Sequence, residues 1–222
     1  MIDLHTHTFL SDGVLSPAEL VRRAEEAGYS AIGIADHVDA SNIEQVISAL
    51  LRFYADTHGL YEKIKIIPAV EITHVPPVQI ASLVRKARHL GARIVICHGE
   101  TICEPVYPGT NRAAIMAKVD ILAHPGIITP EEASLAAEHN VHLELTSRYS
   151  HGLANGRVAR FALDHGAPLV LNSDFHAPGD QHSPALREKI ALGAGLSPDD
   201  LGQINLNMQQ IVDTIFFSGT AV

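Results

Sequence analysis

Short runs of apolar, β-branched residues alternate with amphipathic stretches along this chain, and that rhythm constrains its fold more than any other feature. A strand–helix unit that repeats places its strands parallel, because each helix carries the chain back across the sheet. Strands are expected near Ile2–His5, Ala31–Ala35, Lys65–Val70, Arg93–Cys97, Ile121–Ala123, Val141–Leu145 and Leu169–Asn172. Helices are expected from Ser16 to Gly28 and over 42–57, 80–90, 111–118, 129–139, 156–165, 184–192 and 206–217. Ser16-Pro17-Ala18-Glu19 and Thr129-Pro130-Glu131-Glu132 each read as a capping box with proline at the first helical position. Gly28, Gly91 and Gly166 stand where helices stop. About seven such units point to a closed or nearly closed barrel, with an open doubly wound sheet as the alternative. No glycine-rich phosphate loop follows a strand, which argues against a nucleotide-binding sheet. The 222 residues fit one barrel domain, which runs to about 200–250 residues.

Placed on these strands, the chemistry-bearing residues gather at one edge. His5 and His7 end the first strand, Asp36 and His37 the second, Glu71 the third, His98 the fourth and His124 the fifth. Asp174 and His176 follow the seventh, and Asp12 lies in the loop after the first. In β/α barrels the C-terminal strand edge is where sites are built. Imidazole and carboxylate suit zinc, manganese and iron. His5 and His7, two apart on extended chain, face the same side, and a carboxylate such as Glu71 can bridge two metals. Any one of these residues has an ordinary explanation as a cap or surface group. Repetition at every strand end but the sixth makes coincidence a poor account. His58, His89, His139 and His165 sit at expected helix C-termini, where they suit the dipole; His74, His142 and His182 carry no assignment.

Composition excludes several classes. No apolar run approaches the roughly 18 residues of a membrane helix, and the N-terminal residues do not read as a signal peptide. Cys97 and Cys103 are too few for a disulfide framework and read as free cytosolic thiols, so a cytoplasmic protein is expected. The formal charge of −9 disfavours polyanion binding and makes nucleic acid an unlikely partner. A small anion stays allowed, because bound metals invert the local field.

Six blocks carry a resemblance: His5-Thr6-His7-Thr8 with Ser11-Asp12-Gly13; Ile34-Ala35-Asp36-His37; Pro68-Ala69-Val70-Glu71; Cys97-His98-Gly99; Ala123-His124-Pro125; and Ser173-Asp174-Phe175-His176. In this order the chain resembles the PHP family, named for polymerase and histidinol phosphatase domains. The resemblance implies a single PHP domain over 1–222, an α/β fold with a distorted seven-stranded (β/α)7 TIM-like barrel. It implies two or three divalent ions, with zinc, manganese or iron all suited. His5, His7, Glu71 and Asp174 would hold one; Glu71, His98 and His124 a second; Asp12, His37 and His176 a third.

The expected activity is metal-dependent hydrolysis of a small phosphate ester, with a metal-activated hydroxide as nucleophile and either a metal-bound water or a side chain, His176 or Asp36, protonating the leaving group. Arg148, just past the sixth strand, could grip the phosphate bidentately or be a solvated surface arginine; His151 is a second candidate on the same loop. The long loop after His98, with Glu100, Tyr107 and Asn111, is a candidate specificity element. A nuclease or phosphodiesterase is the alternative. An amidohydrolase is disfavoured because no expected strand end carries lysine, and a non-enzymatic RNA-binding barrel subunit because the chain is acidic yet keeps its ligands. Substrate, metal identity and oligomeric state are not legible.

Overall fold

The computed structural model describes residues 1–217. Its strands are β1 (Ile2–Thr6), β2 (Ala31–Ile34), β3 (His37–Val38), β4 (Lys65–Ile72), β5 (Ile94–His98), β6 (Ile121–Ala123), β7 (His142–Thr146) and β8 (Leu169–Asn172). Its helices are α1 (Pro17–Glu26), α2 (Ile43–Thr57), α3 (Pro77–Leu90), α4 (Thr110–Met116), α5 (Pro130–His139), α6 (Asn155–His165), α7 (Pro184–Gly193) and α8 (Pro198–Phe217). All strand pairs are parallel, in the order β1-β2-β4-β5-β6-β7-β8, and β3 continues alongside β4 after a break at Ala35 and Asp36. A parallel bridge between Thr6 and Phe175, with His7 N donating to Phe175 O at 2.8 Å, brings the last strand's end against the first. The sheet is therefore a nearly closed barrel of seven strands, distorted where β2 gives way to β3.

The expected elements are present, with physical reasons for the differences. Thr129 and Glu132 form the reciprocal cap of α5. At α1 only half the box forms: Ser16 accepts from Glu19 N, while the Glu19 carboxylate pairs with Arg23 at 2.8 Å. An (i, i+4) arginine competes for the same oxygen. Helix α8 begins eight residues before the expected 206. Ser197 Oγ accepts from Asp200 N at 3.2 Å and Asp200 Oδ2 accepts from Ser197 N at 2.8 Å, so a Ser–Asp box with Pro198 at the first helical position starts it. Cys97 and Cys103 are both free. Among the described residues no helix is long and apolar enough to cross a membrane.

The interior of β4 to β8 is mostly Ile, Val, Leu and Ala, buried on both faces as a helix-covered parallel sheet requires. Polar burial is concentrated at the strands' C-terminal ends. His5, His7, Asp36, Glu71 and Glu144 are wholly buried, and His98, His124 and Asp174 nearly so.

Candidate metal centre

Strand periodicity places the first residues. Along β1 and the residue just past its end, Asp3, His5 and His7 alternate with Leu4 and Thr6, so both imidazoles enter the mouth from one extended segment. His5 Nε2 lies 3.4 Å from Glu71 Oε2 and 3.7 Å from Asp174 Oδ1. His7 Nε2 is 3.2 Å from Asp174 Oδ1 and 3.7 Å from Glu71 Oε2. His124 Nε2 reaches the other oxygens of the same two carboxylates, at 3.6 Å from Glu71 Oε1 and 3.7 Å from Asp174 Oδ2. Glu71 thus lies between imidazoles from β1 and from the end of β6. Asp12 Oδ1 stands 3.4 Å from His37 Nε2 and 3.2 Å from His176 Nε2. These atoms are close enough to share ions in several sets, among them His5-His7-Glu71, His7-Asp12-His37-His176 and His98-His124-His151.

The imidazoles share an orientation. Nδ1 of His5 is bonded to Glu144 Oε2 at 2.9 Å, that of His37 to Thr73 Oγ1 at 2.7 Å, that of His98 to Gly99 O at 3.0 Å and that of His176 to Asp174 O at 2.8 Å. The partners of His5, His98 and His176 are carbonyl or carboxylate oxygens, which can only accept. In the neutral ring those Nδ1 atoms carry the proton, and Nε2 presents a lone pair. Each Nε2 faces a carboxylate oxygen without hydrogen-bond geometry. Buried atoms lacking any partner collect at the same place: His5 Nε2, both ring nitrogens of His7, Glu71 Oε1, His124 Nδ1 and Asp174 Oδ1. Each such atom costs about 1–3 kcal/mol. Lone pairs of nitrogen and anionic oxygen converging on one space fit divalent cations.

The electrostatics agree. Burial alone would raise the carboxyls of Glu71 and Asp174, yet neighbouring imidazoles, His5 foremost, hold both well below the usual range. Burial drives His7 down to about 3 and His124 well below an ordinary imidazole. His5 is also pushed down by burial, but the carboxylates of Glu144 and Glu71 bring it well above normal. Burial lowers His37 and His98 as well, but the carboxylates of Glu71 and Asp12 bring His37 up to about 10, and those of Glu104 and Glu71 bring His98 above normal. Glu71, Asp174, His7 and His124 thus stand in the protonation states ligation needs, and an ion would displace a proton from His5, His37 and His98. The backbone is strained at the same points: His124 at φ 27° and Asp174 at φ 55° are left-handed non-glycine residues, a conformation that costs about 1–3 kcal/mol.

A cavity of about 510 Å³ opens over this cluster, lined by Asp12, His37, His98, His124, Arg148, His151, Asp174 and His176 among others. A second cavity of the same size, near Met1, Arg187 and Met208, holds none of these residues. Arg148 does face the mouth, with Nη1 3.2 Å from Asp180 Oδ2 and Nε 4.0 Å from Asp174 Oδ2. His151 stacks on His124 with ring centroids 4.3 Å apart, and its Nδ1 lies 2.6 Å from Thr101 Oγ1.

Two expectations need correcting. Asp36 does not reach the cavity: its oxygens accept from Thr8 N, Thr8 Oγ1 and Ser11 Oγ at 2.7–2.8 Å. It braces the loop carrying Asp12, which suits a positioning residue rather than a proton donor. Glu100 and Asn111 likewise staple their own loop: Glu100 Oε1 accepts from Gly109 N and Asn111 N, both at 2.9 Å. The residues of that loop that do line the cavity beyond His98 are Glu104 and Pro105.

Glu144 carries no signal in the sequence pattern, yet it belongs to the site. It lies mid-strand on β7, accepts from His5 Nδ1, and accepts from Asn172 Nδ2 at 2.8 Å. A carboxylate behind a ligating histidine fixes its tautomer, and losing one costs about 10–100-fold in metal affinity. Glu144→Gln is therefore expected to weaken metal binding by about that factor while the fold persists, read by calorimetric titration with manganese. Unchanged affinity would show that Glu144 only fills space.

A nearly closed β/α barrel with a buried histidine–carboxylate cluster at its C-terminal mouth defines the class. Residues 3–158 match the PHP domain family, and the chain belongs to it. It is 44% identical over 200 residues to an uncharacterized protein of Methanocaldococcus jannaschii, covering 90% of this chain and 92% of that one. It is 27% identical over 205 residues to ribonuclease P protein component 3 of Methanosarcina mazei, covering 85% of this chain and 79% of the relative. Among solved structures, a chain of archaeal ribonuclease P with mature tRNA has a TM-score of 0.73 at 19% identity, covering 100% of this chain and 95% of that one. A proposed histidinol phosphatase from Listeria monocytogenes has a TM-score of 0.60 at 12% identity, covering 84% and 99%. These two structures establish the shared fold. The ribonuclease P relatives remove the ground for setting nucleic acid aside on net charge alone.

Proposed function

We propose that this protein is a metal-dependent phosphoesterase acting on a small phosphorylated molecule. One observation carries the reading: partnerless buried nitrogen and oxygen atoms from β1, β4, the end of β6 and the segment after β8 converge beneath one open cavity. A barrel that served only as a scaffold would have no reason to retain such costly atoms. His5, His7, Glu71 and Asp174 would hold one ion, Glu71, His98 and His124 a second, and Asp12, His37 and His176 a third. Bound divalent ions would supply acidified water and offset charge building on the phosphoryl oxygens.

The protein's own residues do the rest. Arg148, tethered by Asp180, can donate two parallel hydrogen bonds to a phosphate entering the cavity. His176 and Arg148 are tied to one brace, because Asp180 Oδ2 also accepts from His176 N at 2.9 Å. Of the two residues considered for the leaving-group proton, Asp36 supports the loop beside the cavity, and His176 lines the cavity but has both ring nitrogens committed, Nδ1 to Asp174 O and Nε2 to the third ion. His151, three residues past Arg148, also lines the cavity and would contact substrate there.

Elemental analysis of the purified protein, with p-nitrophenyl phosphate hydrolysis measured with and without manganese, tests the reading. Bound metal and manganese-dependent phosphate release are expected. Arg148→Ala should raise KM about tenfold or more with metal content unchanged, a loss of roughly 1.4 kcal/mol or more of substrate binding. Metal without monoester hydrolysis would turn attention to phosphodiesters. A second reading, an RNA-binding subunit, is favoured by the likeness to ribonuclease P component 3. It predicts binding to structured RNA without any hydrolytic turnover.

A further inference from the structure

Glu104 lies on the loop after β5, outside the three ligand sets named above, yet it stands to His98 as Asp12 stands to His176. His98 Nδ1 is committed to Gly99 O at 3.0 Å, so its Nε2 carries the lone pair. That lone pair lies 3.1 Å from Glu104 Oε2 without hydrogen-bond geometry. At that distance the two atoms need a proton or a metal cation between them. Two further imidazoles face the same carboxylate: His74 Nε2 is hydrogen-bonded to Oε2 at 3.0 Å, a contact an ion would replace, and His151 Nε2 lies 3.4 Å from Oε1. His74, His98 and Glu104 together offer ligand atoms at metal-sharing separations. His74 is held there at φ 55°, the same left-handed strain found at His124 and Asp174.

We propose that Glu104 is a metal ligand, donated by the loop after β5 to the ion that His98 holds, with His74 and His151 flanking it. This rests on the metal-centre reading above and extends it. The ligand set mixes imidazole with carboxylate, which suits a first-row divalent ion such as manganese or zinc rather than calcium or magnesium. It also explains the long loop. The loop's conformation follows the metal, so one wall of the substrate cavity is shaped by occupancy of the site.

Glu104→Gln keeps the shape and removes the ligating charge. Titration of chelator-stripped full-length protein with manganese or zinc, followed by calorimetry, and elemental analysis after dialysis read the result. The variant is expected to bind its weakest equivalent at least tenfold less tightly, or to lose it, with the thermal midpoint of the metal-free protein unchanged. Glu104→Asp should recover part of the loss, and His74→Ala, at an exposed position, should weaken the same equivalent about threefold or more. Wild-type protein that loads metal, with Glu104→Gln and His74→Ala both matching it within twofold, would overturn the assignment and leave Glu104 a loop latch. Wild-type protein that takes up no metal would overturn the metal centre itself.

Discussion

Glu71→Gln should abolish bound metal at the centre of the site and lower phosphate release by roughly 10³-fold, about 4 kcal/mol of barrier. The effect is expected to be large because this carboxylate faces imidazoles from three directions. Oε2 lies 3.4 Å from His5 Nε2 and 2.7 Å from His37 Nδ1, and Oε1 lies 3.6 Å from His124 Nε2. The glutamine amide carries no charge, ligates only weakly through its oxygen, and brings an N–H that can occupy the imidazole lone pairs an ion would use. Elemental analysis and single-turnover hydrolysis check the two halves. A variant with full metal content would remove Glu71 from the bridging role, whatever its activity.

Gly126→Ala should be the most damaging change outside the ligands. Gly126 has φ 64°, and a Cβ added there would stand 1.9 Å from Glu100 O. The clash is with backbone, so no side-chain rotation relieves it. Strain in the left-handed region adds about 1–2 kcal/mol. A total above about 3 kcal/mol corresponds to a thermal midpoint lowered by roughly 6–12 °C in a chain of this size. The loops crossing here carry His98 and His124, so the metal held between them should weaken too. Calorimetric melting of the metal-free variant separates the two effects. A midpoint within about 2 °C of wild type would mean that the loops part without cost, roughly under 1 kcal/mol.

Much of this was legible in the sequence because the relevant residues sit where periodicity ends. His5, His7, Glu71, His98 and His124 each close an apolar strand, and strand ends in a parallel barrel share one mouth whatever their separation along the chain. The residues missed lacked that signal. Glu144 sits inside β7, between Leu143 and Leu145; the alternation of that strand places it on the opposite face from those leucines, a cue only in retrospect. Glu104 belongs to a loop with no period at all, and its role comes from the fold of that loop over His98. Asp36 adjoins a true strand-end histidine, but the chain breaks between β2 and β3 and turns its carboxylate beneath the neighbouring loop. The start of α8 is written in Ser197-Pro198-Asp199-Asp200, where Asp in place of the usual Glu of the box conceals it.

The closure between β1 and β8 bears on when the site can come into being. Leu4 N donates to Asn172 Oδ1 across a separation of 168 residues, and Asp174 meets His5 and His7 at the same seam. During synthesis the first strand leaves the ribosome long before its partner, so no half-made barrel contains the full cluster. Any ion captured early would rest on an incomplete set of donors and exchange freely. Once β8 docks, an ion held by both ends spans one of the longest loops in the chain, where the entropy of closure is greatest. The cation would then act as a late clasp on the fold as well as a reagent within it.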